Sequence, residues 1–197
     1  MKNRMKQLSA LVLAATMAMG TYTSAFAADM TVYLRTIGKG ATAPTQEGSF
    51  VVHDVNSSMS IYRALKQAQT KKGMLDDGIT LTTTWSHVTN EDDTEDWYLT
   101  SLTETNTNTK KTVSATNNGG NTILYLDEND KNVGGYYEGN SWMWCPTDGN
   151  LNSTAYPETI TMSDQMCEDV NFAIILSYDY SAFPWGTVTD KFVTPEN

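Results

Sequence analysis

The alternation of apolar and polar residues along the chain predicts several strands and a single helix. Two early segments, 31–37 and 49–55, alternate and are rich in β-branched and aromatic residues, and the loop between them contains Gly and Pro. They therefore predict a β-hairpin. The later segments with strand character are ITLTTTW (79–85), WYLTSLTE (97–104), TILYLD (122–127) and NFAIILSYDY (171–180). The segment 105–121 is long and polar, which favours an elaborated loop or an edge hairpin.

Residues 56–73 form the one segment with a helical pattern. Ser57 or Ser58 is suited to cap its N-terminus, and Gly73 can adopt the left-handed conformation that ends a helix. The apolar stripe consists of Ile61, Leu65 and Ala68. A hairpin followed by one helix and further strands predicts an α+β fold. The expected architecture is a β-grasp-like mixed sheet with one packed helix, an extra β-hairpin and loop elaborations.

The N-terminus has the features of a secretory signal peptide. Lys2, Arg4 and Lys6 precede a short apolar run and a cleavage site with small residues. The run is shorter than the ~20 residues that a membrane-spanning helix needs. We therefore expect residues 1–27 to be removed and the mature chain to be secreted, extracellular and not inserted in a membrane. Residues 28–197 are expected to form a single β-grasp-like domain.

Removal of the signal peptide makes the chain more acidic. The whole sequence has a net charge of −10, and residues 1–27 hold three cations and no acid, so the mature chain has a net charge of −13. Nucleic-acid binding needs a basic surface that neutralises phosphates, and this charge argues against it. It also argues against binding to an anionic membrane.

Cys145 and Cys167 are the only cysteines. Export places them in an oxidising compartment, and an even count favours one disulfide between them. Its closed loop would stabilise the fold by roughly 3 kcal/mol on the chain-entropy model. A catalytic cysteine would need a histidine partner, and neither His53 nor His87 has a recognisable context for that role.

Enzyme and metal motifs have little support in the sequence. It contains no GxSxG elbow, no HExxH and no phosphate-binding GxxxxGK. One loop, 127–138, places oxygen-bearing side chains at calcium-ligand positions 1, 3 and 12, but Lys131 occupies another ligand position and Asn132 stands where a sharp turn wants glycine. A plain turn is favoured there. We expect no catalytic residue, no metal site and no cofactor.

Aromatic residues are the best candidates for binding, and the densest group lies in SWMWCPTDGN (141–150). Alternate side chains of an extended segment share a face, so Trp142 and Trp144 point one way and Met143 and Cys145 the other. If a buried disulfide holds the second pair in the core, the two indoles face outward or into a cleft. The alternative is that one or both tryptophans pack into the core.

Tyr136 and Tyr137 lie a few residues earlier, separated from the tryptophans by EGNS, which can form a turn. Aromatic side chains around a groove commonly hold flat or sugar-like ligands. The predicted ligand-binding residues are therefore Trp142, Trp144, Tyr136 and Tyr137. Trp97 begins a predicted strand, and a core position is favoured for it.

Four segments in order resemble the transcobalamin-like C-terminal domain family, an exported β-grasp module. They are TVYL (31–34), MSIYRALKQA (59–68), WYLTSL (97–102), and SWMWCPTDG (141–149) followed by NFAIILSYD (171–179). The tryptophan-methionine-aromatic group is the distinctive part, although Ser141 and Trp144 stand where the family signature has glycine and tyrosine. The resemblance implies a β-grasp fold and, as one option, a corrinoid (cobalamin) ligand. In animal carriers a separate helical domain helps to enclose the corrinoid, and no such domain is recognisable in this sequence.

Two hypotheses of function follow from these observations. The first is a secreted, non-enzymatic module that binds a small molecule outside the cell, either a corrinoid or a glycan. The second is a structural or adhesive cell-surface protein that contacts a protein partner through a sheet edge or the polar loops. A pocket beside the tryptophans would favour the first, and an unpaired strand near residues 105–121 would favour the second.

Overall fold

The computed structural model describes residues 27–90, 93–129, 132–153 and 161–186. Apart from Ala27, the predicted signal peptide lies outside the described residues. These residues form one helix and eight strands: β1 (Ala28–Ile37), β2 (Thr45–Val55), α1 (Ile61–Ala68), β3 (Ile79–Thr89), β4 (Glu95–Asn106), β5 (Lys111–Thr116), β6 (Gly120–Leu126), β7 (Asn132–Thr147) and β8 (Phe172–Gly186).

The strands form two sheets. The larger one has the order β2-β1-β8-β7-β6, and the smaller one has the order β3-β4-β5. β1 and β8 pair in parallel at the centre of the larger sheet, while the other neighbours are antiparallel. The predicted hairpin of β1 and β2 is confirmed. The region 105–121 forms an edge hairpin, because β5 pairs with β4 at one edge of the smaller sheet.

The helix is shorter than its sequence pattern predicts. It spans Ile61–Ala68, and the Ser60 hydroxyl caps it by accepting a hydrogen bond from the Arg63 amide at 3.4 Å. The two predicted caps belong to the preceding turn instead: the Ser58 hydroxyl donates to Asn56, and the Ser57 hydroxyl donates to Asp169. The predicted apolar stripe is confirmed, since its three residues are buried in the main core.

The predicted α+β class is wrong, because the fold is mostly β. Strands hold 60% of the described residues and the helix holds 5%. The single helix of eight residues covers only part of the larger sheet, and the smaller sheet also contributes to the core through Leu81, Leu99, Leu102 and Val113. The predicted class was wrong partly because the sequence pattern does not mark β7, which has 16 residues, as a strand. The architecture is therefore two sheets, and not a β-grasp sheet packed on a helix.

Both faces of the larger sheet are covered near its centre. Along β1, Met30, Val32 and Leu34 point into the main core, and Tyr33 belongs to a second cluster on the opposite face. Arg35 shares that opposite face by alternation and is only 2% exposed. A strand that is buried on both sides has no polar face to mark it in the sequence.

Candidate functional site

The predicted aromatic residues lie where the two sheets meet. Asn117, in the connection between β5 and β6, joins the sheets through its side chain. Its amide nitrogen donates to the Leu99 carbonyl on β4 at 3.1 Å, and its oxygen accepts from the Trp142 amide on β7 at 2.8 Å. Because one side chain bonds to the backbone of both sheets, it fixes their separation at this point.

Both tryptophans of β7 point into the main core. Trp142 is 7% exposed, its indole nitrogen donates to the Ala115 carbonyl at 3.2 Å, and its ring lies 5.3 Å from that of Tyr178. Trp144 is equally buried in the same cluster. The predicted alternation holds, but neither indole is exposed to solvent. The second interpretation, that they pack in the core, describes both residues.

Met143 and Cys145 lie on the opposite face of β7, in a second cluster with Ile175, Tyr33 and Leu151. Cys167 belongs to the main cluster, and the predicted disulfide is absent because the structure has both cysteines as free thiols. Burial raises the pKa of the Cys145 thiol and raises that of Cys167 to about 11. Such thiols stay protonated near neutral pH and are poor nucleophiles.

The two tyrosines of β7 differ in their positions. Tyr136 is buried, whereas Tyr137 is half-buried and stacks on Phe183 of β8 with ring centroids 5.3 Å apart. The Tyr137 ring also lies against Gly119, where an added Cβ would lie 2.0 Å from the tyrosine hydroxyl. Glycine at 119 is therefore required for this placement of the ring.

A cavity of about 250 Å³ opens beside these residues. We call it the aromatic cavity, and its lining consists of Tyr98, Leu99, Asn117, Tyr137, Ser141, Trp142, Met143, Ser181 and Phe183. Of the four predicted binding residues, Trp142 and Tyr137 line it, while Trp144 and Tyr136 do not. The sequence reasoning missed Phe183, although its position in an aromatic-rich strand end is a usable signal.

The aromatic cavity has no charged lining residue, and one of its lining hydroxyls lacks a hydrogen-bond partner among the described residues. None of the nine residues that line it has a charged side chain. The Ser181 hydroxyl is buried and has no hydrogen-bond partner among the described residues. An unpaired buried hydroxyl costs about 1–3 kcal/mol. Ser181 is a lining residue whose Oγ is covered in the free protein, so a ligand hydroxyl that reached it after a small local shift would recover that free energy.

The histidines and acids do not form a metal site in the part of the chain that the structure describes. His53 lies between two carboxylates, with Nδ1 2.9 Å from Asp29 and Nε2 3.0 Å from Asp76. The loop 127–138 contains residues outside the described ranges. Its last acid, Glu138, accepts hydrogen bonds from Lys39 at 3.0 Å and from the Tyr180 hydroxyl at 2.5 Å.

Trp97 belongs to a different aromatic group, at the helix. It is half-buried, stacks on Tyr62 at 5.0 Å and lies 4.9 Å from the His87 ring, while Trp85 meets Tyr62 edge-on. This group fixes α1 against β3 and β4.

Among the described residues, no helix is both long and apolar enough to cross a membrane.

Comparison with known proteins gives no relative from which to assign a role. No family model, curated protein or solved structure matches the chain. The resemblance to the transcobalamin-like family therefore stays a prediction, and the interpretation of the site depends on its own geometry.

Proposed function

We propose that the protein is an exported, non-enzymatic module that binds a small, neutral, sugar-like ligand in the aromatic cavity. The observation that carries this proposal is the combination of aromatic walls with an unpaired buried hydroxyl at Ser181. Aromatic rings pack against the C–H faces of a sugar ring, and a few polar groups fix its orientation. The neutral lining favours a ligand without charge.

The size of the cavity favours a monosaccharide or one residue of a longer glycan. A corrinoid has a macrocycle built from four pyrrole-type rings, which is much larger than about 250 Å³. The corrinoid option of the family resemblance is therefore less well supported than the glycan option. Tyr137 and Phe183 form the accessible wall, since Phe183 is 39% exposed, while Trp142 contributes mainly to the core.

The test is calorimetric titration of the mature protein with a panel of neutral monosaccharides and disaccharides. Phe183→Ala is expected to weaken binding at least tenfold and to change the melting temperature little, because the ring is partly exposed. Leu126→Ala is the matched control, since Leu126 is an exposed apolar residue of edge strand β6 outside the cavity. It should bind like the wild type.

Ser181→Ala gives an independent signature. Removal of an unpaired buried hydroxyl should leave the stability of the free protein unchanged or slightly higher, whereas ligand affinity should fall. If no sugar of the panel binds, or if Phe183→Ala and Ser181→Ala both bind like the wild type, the proposal is wrong.

A second candidate function, adhesion through a sheet edge, is favoured by β6. This strand pairs only with β7 among the described strands, and Ile123, Leu124 and Leu126 are all more than 40% exposed on it. An exposed, apolar edge strand can pair with a strand of another chain. Light scattering after chromatography tests the case in which that chain is a second copy. Leu124→Lys should remove any concentration-dependent dimer without changing sugar binding.

A further inference from the structure

A second cavity, of about 210 Å³, lies at the opposite end of β1 from the helix start and holds the buried charges of the larger sheet. We call it the arginine cavity. Its walls come from the end of β1, the loop 38–44 that joins β1 to β2, residues 152–153 and Asp179 of β8. Arg35 and Asp179 both line it, and they are 2% and 6% exposed.

Two hydrogen bonds hold the Arg35 guanidinium in place, but one of its nitrogens has no hydrogen-bond partner among the described residues. Its Nε donates to the Ser177 hydroxyl at 2.8 Å, and its Nη1 donates to the Leu151 carbonyl at 2.5 Å. Its Nη2 is buried and has no hydrogen-bond partner among the described residues. Arginine stays protonated in proteins, so this group retains both its charge and unused donors.

Asp179 is a buried opposite charge on the same face, but it does not pair with Arg35 directly. The Ser177 hydroxyl bridges the two, since it accepts from Arg35 and donates to Asp179 at 2.5 Å. No ion pair within 4.0 Å joins the two residues in the described part of the chain. Burial raises the pKa of the Asp179 carboxyl, and the bond from Ser177 lowers it by less.

A buried guanidinium and a buried carboxylate that are kept apart leave a positive and a negative site on one small cavity. A guanidinium with a free nitrogen is well matched by a carboxylate, and a carboxylate accepts charge-assisted hydrogen bonds from an ammonium. The other lining residues are uncharged: Ile37, Ala41, Thr42, Ala43, Pro44, Asn152 and Ser153. A ligand that carries an ammonium and a carboxylate on the same carbon matches this arrangement without adding net charge.

We propose that the arginine cavity binds a small zwitterionic α-amino acid, with its carboxylate on Arg35 and its ammonium on Asp179. This site is separate from the aromatic cavity and does not depend on the function proposed there. The bound carboxylate would supply an acceptor to Nη2 once a small local shift uncovers this nitrogen, which is screened from solvent in the free protein. The ammonium would add donors to Asp179, whose carboxyl already accepts hydrogen bonds from the Ser177 hydroxyl and the Ile37 amide. Ser177 acts as the positioning residue that holds the two charges apart.

The test is a titration of the mature protein with alanine, propionate and ethylamine, followed by calorimetry and by the shift in melting temperature. Alanine should bind and raise the melting temperature, propionate should bind at least tenfold more weakly, and ethylamine should not bind. Equal binding of propionate and alanine would overturn the zwitterion assignment. The absence of binding by all three would overturn the site.

Variants at the rim avoid the folding problems of buried charges. Ala43→Phe changes an exposed lining residue, so it should fill the cavity, abolish alanine binding and keep the fold. Val170→Phe is the matched control, because Val170 is exposed and does not line the cavity. Asp179→Asn, which replaces the buried charge by a neutral side chain of the same shape, should remove the preference for alanine over propionate. Wild-type alanine affinity in Ala43→Phe would contradict the proposal.

Discussion

The two cavities of the larger sheet differ in the source of their polarity. The aromatic cavity is bounded by rings and neutral hydrogen-bonding groups, and its polar capacity is limited to groups such as the Ser181 hydroxyl. The arginine cavity has no aromatic lining residue and holds two buried charges. An unpaired hydroxyl in a neutral cavity costs less than an uncompensated buried charge, so the charges of the arginine cavity need compensation whether or not a ligand is present.

Because of this difference, removing a ligand-contacting side chain can weaken binding without loss of stability at the aromatic cavity, but not at the arginine cavity. In the aromatic cavity the accessible ring of Phe183 can be removed with little effect on folding, because it is partly exposed. In the arginine cavity the same groups hold the fold and would hold the ligand, since Arg35 ties β1 to Ser177 of β8 and to Leu151. The two sites should therefore respond differently to substitution.

The largest expected effect is that of Arg35→Met. It leaves Asp179 buried without an opposite charge and removes two hydrogen bonds, so we expect a loss of about 3–5 kcal/mol in the free energy of unfolding. Urea denaturation at pH 7 measures it. The double variant Arg35→Met, Asp179→Leu is the control, because replacing both charges by apolar groups should recover at least half of the loss. A free energy of unfolding for Arg35→Met within about 1 kcal/mol of the wild type would contradict a stabilising interaction between the two buried charges through Ser177.

A smaller effect is expected for the ring that forms the floor of the aromatic cavity. Trp142→Phe removes the hydrogen bond to Ala115 and part of a buried ring, and should cost about 1–2 kcal/mol. Phe183→Ala should cost less than about 1 kcal/mol, because the ring is partly exposed. The same urea experiment compares them, and the reverse order of the two losses would show that Phe183, not Trp142, belongs to the core.

The sequence was informative where one face of a strand is polar and misleading where both faces are buried. Residues 31–37 were identified as a strand, but their alternation places Arg35 on the face that should meet solvent. That face is covered by Leu151, which lies 116 residues further along the chain. A local pattern contains no information about such a distant cover, so the arginine cavity could not be predicted.

The aromatic cavity could be predicted only in part, because the sequence does not show which face of β7 packs in the main core. Trp142 and Tyr137 were identified because aromatic residues are concentrated in this segment, and alternation correctly paired Trp142 with Trp144. Alternation could not say which face was the core, because Met143 on the other face is also buried. The strand β7 itself was missed, since a segment that is buried on both faces and contains several glycines lacks the alternation that marks a strand.

A modest dependence of stability on pH is expected from His53, which lies outside both cavities. Hydrogen bonds to Asp76 and Asp29 raise the pKa of His53 in the folded state above its ordinary value near 6.5. The stabilisation is therefore complete below pH 6.5 and is lost as the pH rises through the higher folded-state pKa. Because the ring is partly exposed, the effect should stay under about 1 kcal/mol.

Urea denaturation at pH 5.5 and 8.5 measures this difference, and His53→Gln is the control that should remove it. Sugar binding in the aromatic cavity should not change over the same range, because none of its lining residues is an acid, a lysine or a histidine. A pH dependence that survives in His53→Gln would show that another group, such as buried Asp179, dominates.

The smallest expected effect is that of a reducing agent. Cys145 and Cys167 lie in clusters on the two faces of the larger sheet, so a bond between them would require β7 or the segment before β8 to move. Dithiothreitol should therefore leave the melting temperature unchanged, and a thiol reagent should react with two cysteines only after unfolding, since burial raises both thiol pKa values. A disulfide between them would instead give no reactive thiol and a loss of roughly 3 kcal/mol on reduction. That result would mean that the packing around Cys145, beside the arginine cavity, differs from the one described.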